Sequence, residues 1–103
     1  MNSEYLGVPF AVMDCWALVR DYYEKRGVFL PAVPDADTYK LVTPIDEPVP
    51  DSLLVFSIER ECDHVGVYLG HNRMLHTTEQ TGGIIHPLSY YRRWLVGVYK
   101  VVK

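Results

Sequence analysis

One cysteine and two histidines have the residue types and spacing that a nucleophilic enzyme needs. Cys15 stands in "DCWALVRDYYEKRG" (14–27), directly after a residue that can cap a helix, and His64 and His76 lie further along the chain. A helix N-terminus and an adjacent imidazolium lower the pKa of a thiol to roughly 3.5 to 7.5, which yields a thiolate at neutral pH. We therefore expect Cys15 to be a nucleophile and a histidine to be its base.

The segment "HVGVYLGHNRMLHTT" (64–78) predicts how the two histidines meet. A hairpin with a three-residue loop at 70–72 places them diagonally on one face of the sheet. The pairs that this loop sets include Leu69 with Arg73 and Gly66 with His76. Diagonal neighbours are about 7 to 8 Å apart, a gap that two leaning imidazoles close with a hydrogen bond. Gly66 leaves room beside the histidines, and we expect the first turn of the helix to approach there and bring Cys15 to His64.

Other residues of the reactive types have weaker patterns. We expect no chemical role for four of them: Asp63 as a solvated turn residue, Cys62 as an ordinary free cysteine, and His71 and His86 as turn or strand-edge residues. A zinc site is the alternative, with Cys15, Cys62, His64 and His76 as an adequate ligand set. Their spacing lacks the tight pairs, such as C-x-x-C, that are typical of zinc sites. We therefore expect no metal and no cofactor.

The elements that must hold these residues predict an α+β domain. Asp14 is a good N-cap and Gly27 a good left-handed C-cap for an amphipathic helix over 14–26. Residues 31–51 contain five prolines and predict a loop, with a short helical turn around 38–41. Strand-like segments then follow, with a short helix at 88–92: "SLLVFSI", "HVGVYLG", "RMLHTT", "GGIIHPL" and "WLVGVYKVV". We expect one helix packed on an antiparallel sheet of about five strands.

Composition excludes several classes of function. The 103 residues are 49% hydrophobic and 22% charged, which predicts a single domain over 1–103. A net charge of -3 argues against a nucleic-acid partner. The chain has no apolar run near the roughly 20 residues that span a bilayer, and its first residues do not resemble a signal peptide. We expect a protein that is cytoplasmic at synthesis and does not insert into membranes.

Two of these motifs resemble those of the NlpC/P60 family of cysteine peptidases. "DCWALVRDYYEKRGVFLP" is similar to the family's catalytic helix "DCSGLV...Y...G..LP", and "HVGVYLGHNRMLHT" is similar to its hairpin "HVGIYLG...MIHA". The resemblance covers about 6–101, and "DCW.LVRDYY" is especially similar to the NlpC/P60 domains of lambda-type phage tail-assembly proteins. It implies a papain-like core, with Cys15 as nucleophile, His64 as base and His76 as the polar residue that orients the base.

The resemblance also implies a substrate and a setting. The family cleaves peptidoglycan stem peptides, typically beside γ-D-glutamyl and diaminopimelate residues, and the likeness to phage proteins implies a virion tail tip with other tail-tip proteins as partners. Phe10 stands where the family usually has a tyrosine, and Tyr5 is a candidate substitute for that phenol. A non-catalytic structural or assembly module of a tail tip is therefore the alternative to a peptidase.

Overall fold

The fold consists of one helix and one antiparallel sheet of six strands. The computed structural model describes residues 2–34 and 37–101. The helix α1 spans Cys15–Glu24, and the strands are β1 (Val42–Pro44), β2 (Leu53–Phe56), β3 (His64–Gly70), β4 (Arg73–Thr78), β5 (Gly82–Pro87) and β6 (Leu95–Val101). Their order in the sheet is β1-β6-β2-β3-β4-β5. The predicted α+β architecture is confirmed, with six strands in place of about five.

The helix α1 begins where the sequence predicts and ends at Glu24, two residues before the predicted end. The Asp14 side chain caps the first turn, and the chain leaves the last turn through Gly27, whose φ of 86° is left-handed. The Val28 N–H then donates to the Tyr23 carbonyl at 3.0 Å, which satisfies one of the last helical carbonyls. The buried face of α1 consists of Leu18, Val19, Tyr22 and Tyr23.

The strand β1 lies inside the segment that we expected to be loop. It pairs with β6 at the edge of the sheet, and an edge strand tolerates Pro44 because one of its sides needs no backbone donor. The short helical turn predicted around 38–41 is confirmed as a 3-10 turn at Thr38–Lys40. In place of the predicted short helix at 88–92 the structure has two 3-10 turns, Leu88–Tyr90 and Arg92–Trp94.

Two predicted segments reach beyond the residues that the structure describes. Asp35 and Ala36 of the proline-rich segment are outside them, and so is Val102 at the end of the last predicted strand. Over the described ranges, the structure has no helix with the length and hydropathy needed to cross a bilayer.

The turn between β3 and β4 is shorter than the predicted three-residue loop. His71 and Asn72 alone form it, with left-handed φ values of 53° and 61°, and Gly70 rather than Leu69 pairs with Arg73. An irregularity between Tyr68 and Gly70 absorbs the difference of one residue. The register beyond it is the predicted one, with Tyr68 opposite Met74 and Val67 opposite Leu75.

The two faces of the sheet carry different cores. Val67 and Leu75 pack with α1 on one face, while Phe56 and Met74 pack with the last 3-10 turns on the other. Gly66 belongs to the second face, where a side chain on it would come within 3.2 Å of the His76 Cβ. The expectation that α1 approaches at Gly66 is therefore wrong, because the neighbouring strand β4 fills that space.

The segment before α1 covers part of the outer edge of β5. The Gly7 N–H donates to the Gly83 carbonyl at 2.8 Å, and the Gly83 N–H donates to the Val8 carbonyl at 3.0 Å. A β-carbon on Gly83 would overlap the carbonyl group of Tyr5, so this close approach requires glycine.

Candidate active site

Cys15 is the first residue of α1, and the cap that begins the helix also places its sulfur. The Asp14 carboxylate accepts a hydrogen bond from the Ala17 N–H at 2.9 Å. Backbone N–H groups of a first helical turn have no partner within the helix, so this end of α1 carries a partial positive charge. The free thiol of Cys15 lies half-buried at this end.

Burial of the Cys15 thiol acts against the thiolate that we expected from the sequence. Removal from water raises the pKa of this thiol, since the charged form loses its solvation. A hydrogen bond from the Val65 N–H opposes the rise in pKa, and the charge of Asp14 adds to it. The expected lowering of the pKa is therefore wrong, and the resting residue is a neutral thiol at neutral pH.

The predicted contact between His64 and His76 is confirmed. The His64 Nε2 and His76 Nδ1 atoms are 2.8 Å apart, and the two rings meet edge to face with their centres 5.0 Å apart. His64 begins β3 and is partly exposed, whereas His76 on β4 has no exposed surface. The buried His76 can therefore hold the more exposed His64 in a fixed orientation.

Both histidines are held in the neutral state. Burial lowers the pKa of His64, and the charge of Asp63 offsets this only in part. Burial, together with the neighbouring His64 and His86, lowers the pKa of His76 to about 3. A neutral His64 retains a lone pair that can accept a proton, which is the property a general base requires.

His86 is the residue of this site that the sequence interpretation missed. Its Nδ1 atom lies 2.9 Å from the His76 Nε2 atom, so His76 bridges His64 and His86. His86 lies opposite Met74 and His76 lies opposite Ile84, which makes the two histidines diagonal neighbours. The diagonal spacing that predicts the contact between His64 and His76 also predicts this one in the next hairpin.

Tyr91 completes the aromatic group around the histidines. Its hydroxyl oxygen is 3.3 Å from the His86 Nδ1 atom, its ring stacks on the ring of His86, and its edge contacts His76. Burial raises the pKa of the Tyr91 hydroxyl, so this group is a neutral hydrogen-bonding phenol.

A pocket of about 340 Å³ lies beside the sulfur and the base. Cys15 and His64 both line this pocket, although α1 and the histidines pack on opposite faces of the sheet. His64 can reach the pocket because it is the first residue of β3. Four charged residues also line the pocket: Glu59, Arg60, Asp63 and Glu79. A second pocket of about 400 Å³ lies beside the first and shares Phe10 with it. Together they can hold an extended substrate.

Phe10 and Tyr91, and not Tyr5, are the aromatic residues that line the site pocket. Tyr5 is buried, and its hydroxyl donates to the Asp21 carboxylate at 2.7 Å. It is therefore not available as the substitute phenol that we considered from the sequence. Among the described residues that line this pocket, Tyr91 supplies the phenol.

Asp63 organises the turn before His64 and has a larger role than that of a solvated residue. Its carboxylate accepts hydrogen bonds from three backbone N–H groups, those of Ile58, Glu59 and Arg60, at 2.8 to 3.0 Å. These hydrogen bonds lower the pKa of Asp63 to about 2, since they favour its charged form.

The residues proposed as zinc ligands do not converge. Cys62 is exposed in the turn before β3, and His64 and His76 direct ring nitrogens at each other. No group of three or more His, Cys, Asp or Glu side chains within 2–34 and 37–101 is arranged to hold a metal ion.

Comparison with known proteins identifies related sequences and folds. The profile of the NlpC/P60 family matches residues 4–100 of this chain. An NLP/P60 family protein described as similar to lipoprotein, from Staphylococcus aureus subsp. aureus Mu50, is 27% identical with a TM-score of 0.78 over 99% of the chain. An NlpC/P60 family protein from Bacillus cereus ATCC 10987 is 18% identical with a TM-score of 0.80, again over 99% of the chain.

The chain covers different shares of its structural relatives. It spans 39% of the Staphylococcus aureus protein and 38% of the Bacillus cereus protein. It spans 92% of the NlpC/p60 domain of the peptidoglycan hydrolase SagA, with 14% identity and a TM-score of 0.74 over 97% of the chain. No curated protein sequence is significantly similar to this chain.

Proposed function

We propose that this chain, which belongs to the NlpC/P60 family, is a cysteine peptidase that hydrolyses stem peptides of bacterial peptidoglycan. In this proposal Cys15 is the nucleophile, His64 is the general base and His76 orients His64. The observation that carries it is the presence of a thiol in the first turn of α1 and a neutral, hydrogen-bonded imidazole at one pocket.

The reaction starts from a neutral thiol and a neutral imidazole. As the Cys15 sulfur attacks the peptide carbonyl carbon, the thiol proton passes to His64, and the carbonyl oxygen becomes an oxyanion. The unpaired N–H groups of the first turn of α1, including that of Cys15, can donate to this oxyanion. The His64 imidazolium then gives its proton to the leaving amine, which leaves a thioester on the sulfur.

The second half of the cycle releases the acyl group. Neutral His64 takes a proton from a water molecule, whose oxygen attacks the thioester carbonyl and displaces the Cys15 sulfur. The His64 imidazolium returns its proton to the sulfur, which restores the neutral pair. The acyl group leaves as a carboxylic acid that loses its remaining proton to solvent.

We propose that the bond cleaved lies between γ-D-glutamyl and diaminopimelate residues. Such a substrate carries a carboxylate next to the bond and further carboxyl and amino groups on diaminopimelate. Arg60 offers a cation for a carboxylate, and Glu59 and Glu79 offer anions for an amino group at the pocket. The likeness of "DCW.LVRDYY" to tail-assembly proteins supports a place at a phage tail tip, where 1–103 acts as one domain beside other tail proteins.

Digestion of purified peptidoglycan tests this function. The protein, incubated with sacculi of the diaminopimelate type, is expected to release fragments with a new amino terminus on diaminopimelate, as identified by mass spectrometry. Cys15→Ala is expected to lower the rate of release by at least about 1,000-fold, since it removes the nucleophile. Cys62→Ala is the matched control and is expected to leave the rate unchanged, because Cys62 is exposed and does not line the pocket.

A non-catalytic assembly module of a tail tip is the second candidate. It is favoured by the raised pKa of Cys15 and by Phe10 at the pocket, where the family usually has a phenol. Equal fragment release by the parent protein and Cys15→Ala, or no release by either, would contradict the peptidase and favour this module.

A further inference from the structure

Three histidines form a chain of hydrogen bonds that continues beyond the pair assigned to catalysis. His76 lies between the other two rings, with its Nδ1 atom 2.8 Å from His64 Nε2 and its Nε2 atom 2.9 Å from His86 Nδ1. His76 has no exposed surface, so water does not compete for either nitrogen. The state of one ring therefore determines the state of the next.

Counting protons leaves only two arrangements for this chain. Neutral His76 carries one ring proton, so it donates through one nitrogen and must accept through the other. If it donates to His86, it accepts from His64 Nε2–H, and the His64 Nδ1 atom keeps its lone pair. If it accepts from His86, it donates to His64 Nε2, and the proton of neutral His64 is then on Nδ1.

Only in the first arrangement can the His64 Nδ1 atom accept a proton without an earlier transfer of protons between the rings. When His64 takes a proton at Nδ1 it becomes an imidazolium, which must donate through Nε2 as well. That donation needs an unprotonated Nδ1 on His76, and therefore a proton on His76 Nε2 that points at His86. An acceptor at the Nδ1 position of His86 is what holds this proton in place.

We propose that His86 is a positioning residue for the catalytic base: its Nδ1 atom accepts the His76 Nε2–H bond and thereby fixes the tautomer that leaves His64 Nδ1 unprotonated. The catalytic part of this inference rests on the proposed peptidase function, whereas the tautomers do not. All three rings then have their proton on Nε2. The Tyr91 hydroxyl oxygen lies 3.3 Å from the same His86 Nδ1 atom.

Two substitutions of His86 distinguish the effect of its hydrogen-bond acceptor from the effect of its side-chain size. His86→Asn places the Oδ1 atom near the position of Nδ1 and keeps an acceptor for His76. His86→Leu has a similar size and no acceptor, so it leaves the buried His76 Nε2–H without a partner. An unpaired buried donor is unfavourable, and reversal of the chain toward a His76 Nδ1–H that donates to His64 exchanges it for an unpaired acceptor. Without an acceptor at position 86, the preference for a proton on His76 Nε2 is therefore lost.

The direct measurement is long-range ¹H–¹⁵N correlation NMR of protein with labelled histidines at pH 7.5, which reads the tautomer of each ring. We expect Nε2–H on His64 and His76 in the parent protein and in His86→Asn, and a shift toward Nδ1–H in His86→Leu. The parent spectrum alone overturns the proposal if His64 carries its proton on Nδ1, and it requires no variant to fold.

Reaction rates test the consequence for catalysis. We expect His86→Leu to lower kcat for peptidoglycan fragment release by on the order of 10-fold or more, with little change in KM, and His86→Asn to restore most of it. Equal loss in both variants would assign His86 a packing role and overturn the proposal.

Alkylation of Cys15 by iodoacetamide keeps the two proposals distinguishable. If the parent protein releases no peptidoglycan fragments, the peptidase proposal fails, but the alkylation rate still reports whether His64 accepts the thiol proton. Slower alkylation in His86→Leu than in His86→Asn would then support the role of His86, and equal rates would contradict it.

Discussion

The resting site contains no ion pair between sulfur and imidazole, because burial disfavours the charged form of each group. The pKa of Cys15 is raised and that of His64 is lowered, so both residues are neutral at pH 7. The proton must therefore move during the attack on the carbonyl, and the rate depends on how well His64 is oriented at that moment. This is why the histidines behind His64 matter more here than they would for a preformed thiolate.

The pH dependence of Cys15 alkylation tests this state of the thiol. Since the raised pKa keeps the thiol protonated, we expect its reaction with iodoacetamide to increase mainly above the ordinary thiol range near 8.5. Mass spectrometry of each cysteine-containing peptide over pH 6 to 10 gives the profile, with exposed Cys62 as the internal reference. A Cys15 profile complete below pH 7.5 would contradict the neutral resting thiol.

For individual residues, the sequence predicts contacts between side chains more reliably than it predicts their ionisation states. The His64–His76 contact follows from strand spacing, since every second residue lies on one face. The pKa of Cys15 depends on how much water the packed elements exclude, and no local pattern encodes that quantity. His86 follows from the same spacing rule, but its strand-edge position suggested a residue without a chemical role.

The β3–β4 hairpin has a shorter turn than the predicted one, and yet the predicted contact between His64 and His76 forms. The two-residue turn at His71 and Asn72 would shift the register by one residue if the strands were regular. The irregularity between Tyr68 and Gly70 offsets that shift before the strand reaches Gly66. His64 and His76 therefore keep the face predicted for them.

Loss of the Asp14 cap should loosen the turn that carries the sulfur. The Asp14 carboxylate satisfies the Ala17 N–H, so Asp14→Ala is expected to lower the free energy of unfolding by about 1 kcal/mol. For a domain of this size that corresponds to a fall in Tm of roughly 4 to 8 °C. Thermal denaturation followed by circular dichroism measures it.

Asp14→Ser is the matched variant for this cap. Its hydroxyl can accept the same N–H, so we expect most of the lost stability to return. Equal Tm values for the parent protein and Asp14→Ala would show that the capping bond contributes nothing measurable to the fold.

The elements that the sequence predicts best are those with a regular period. The helix over 14–26 and the four strands from β3 to β6 combine clear apolar patterns with turn residues at their ends. The strand β1 was missed since its three residues end on a proline, and only pairing with β6 makes them a strand. Such pairing joins segments more than fifty residues apart, so a local pattern does not reveal it.

The fold buries a histidine, His76, in a place where its ring is difficult to protonate. His76 is fully buried, and the pKa of its ring is lowered to about 3, against about 6.5 for an exposed histidine. Below pH 6.5 the unfolded chain binds a proton at His76 that the folded chain does not. The stabilising effect of a neutral His76 is therefore complete above pH 6.5 and is lost as the pH falls toward 3.

Acidification should accordingly weaken the whole fold. Between pH 6 and 5, where carboxylates are still largely ionised, we expect His76 to reduce the free energy of unfolding by about 1 kcal/mol per pH unit. Urea denaturation at several pH values measures this slope. His76→Gln is expected to be less stable at pH 7 and to have a smaller slope.

His71→Gln controls for the loss of a histidine as such. His71 is exposed in the β3–β4 turn, so this variant is expected to keep the slope of the parent protein. An unchanged slope in His76→Gln would mean that other groups cause the sensitivity to acid.

The two outer strands of the sheet are poor templates for the addition of a further strand. On β5 the segment around Gly7 already occupies the backbone groups of Gly83, and on the other side β1 offers three residues, one of them Pro44. Exposed strand edges are where proteins most readily pair with one another and form fibrils. This protein should therefore tolerate high concentration without strand pairing between the sheets of neighbouring copies.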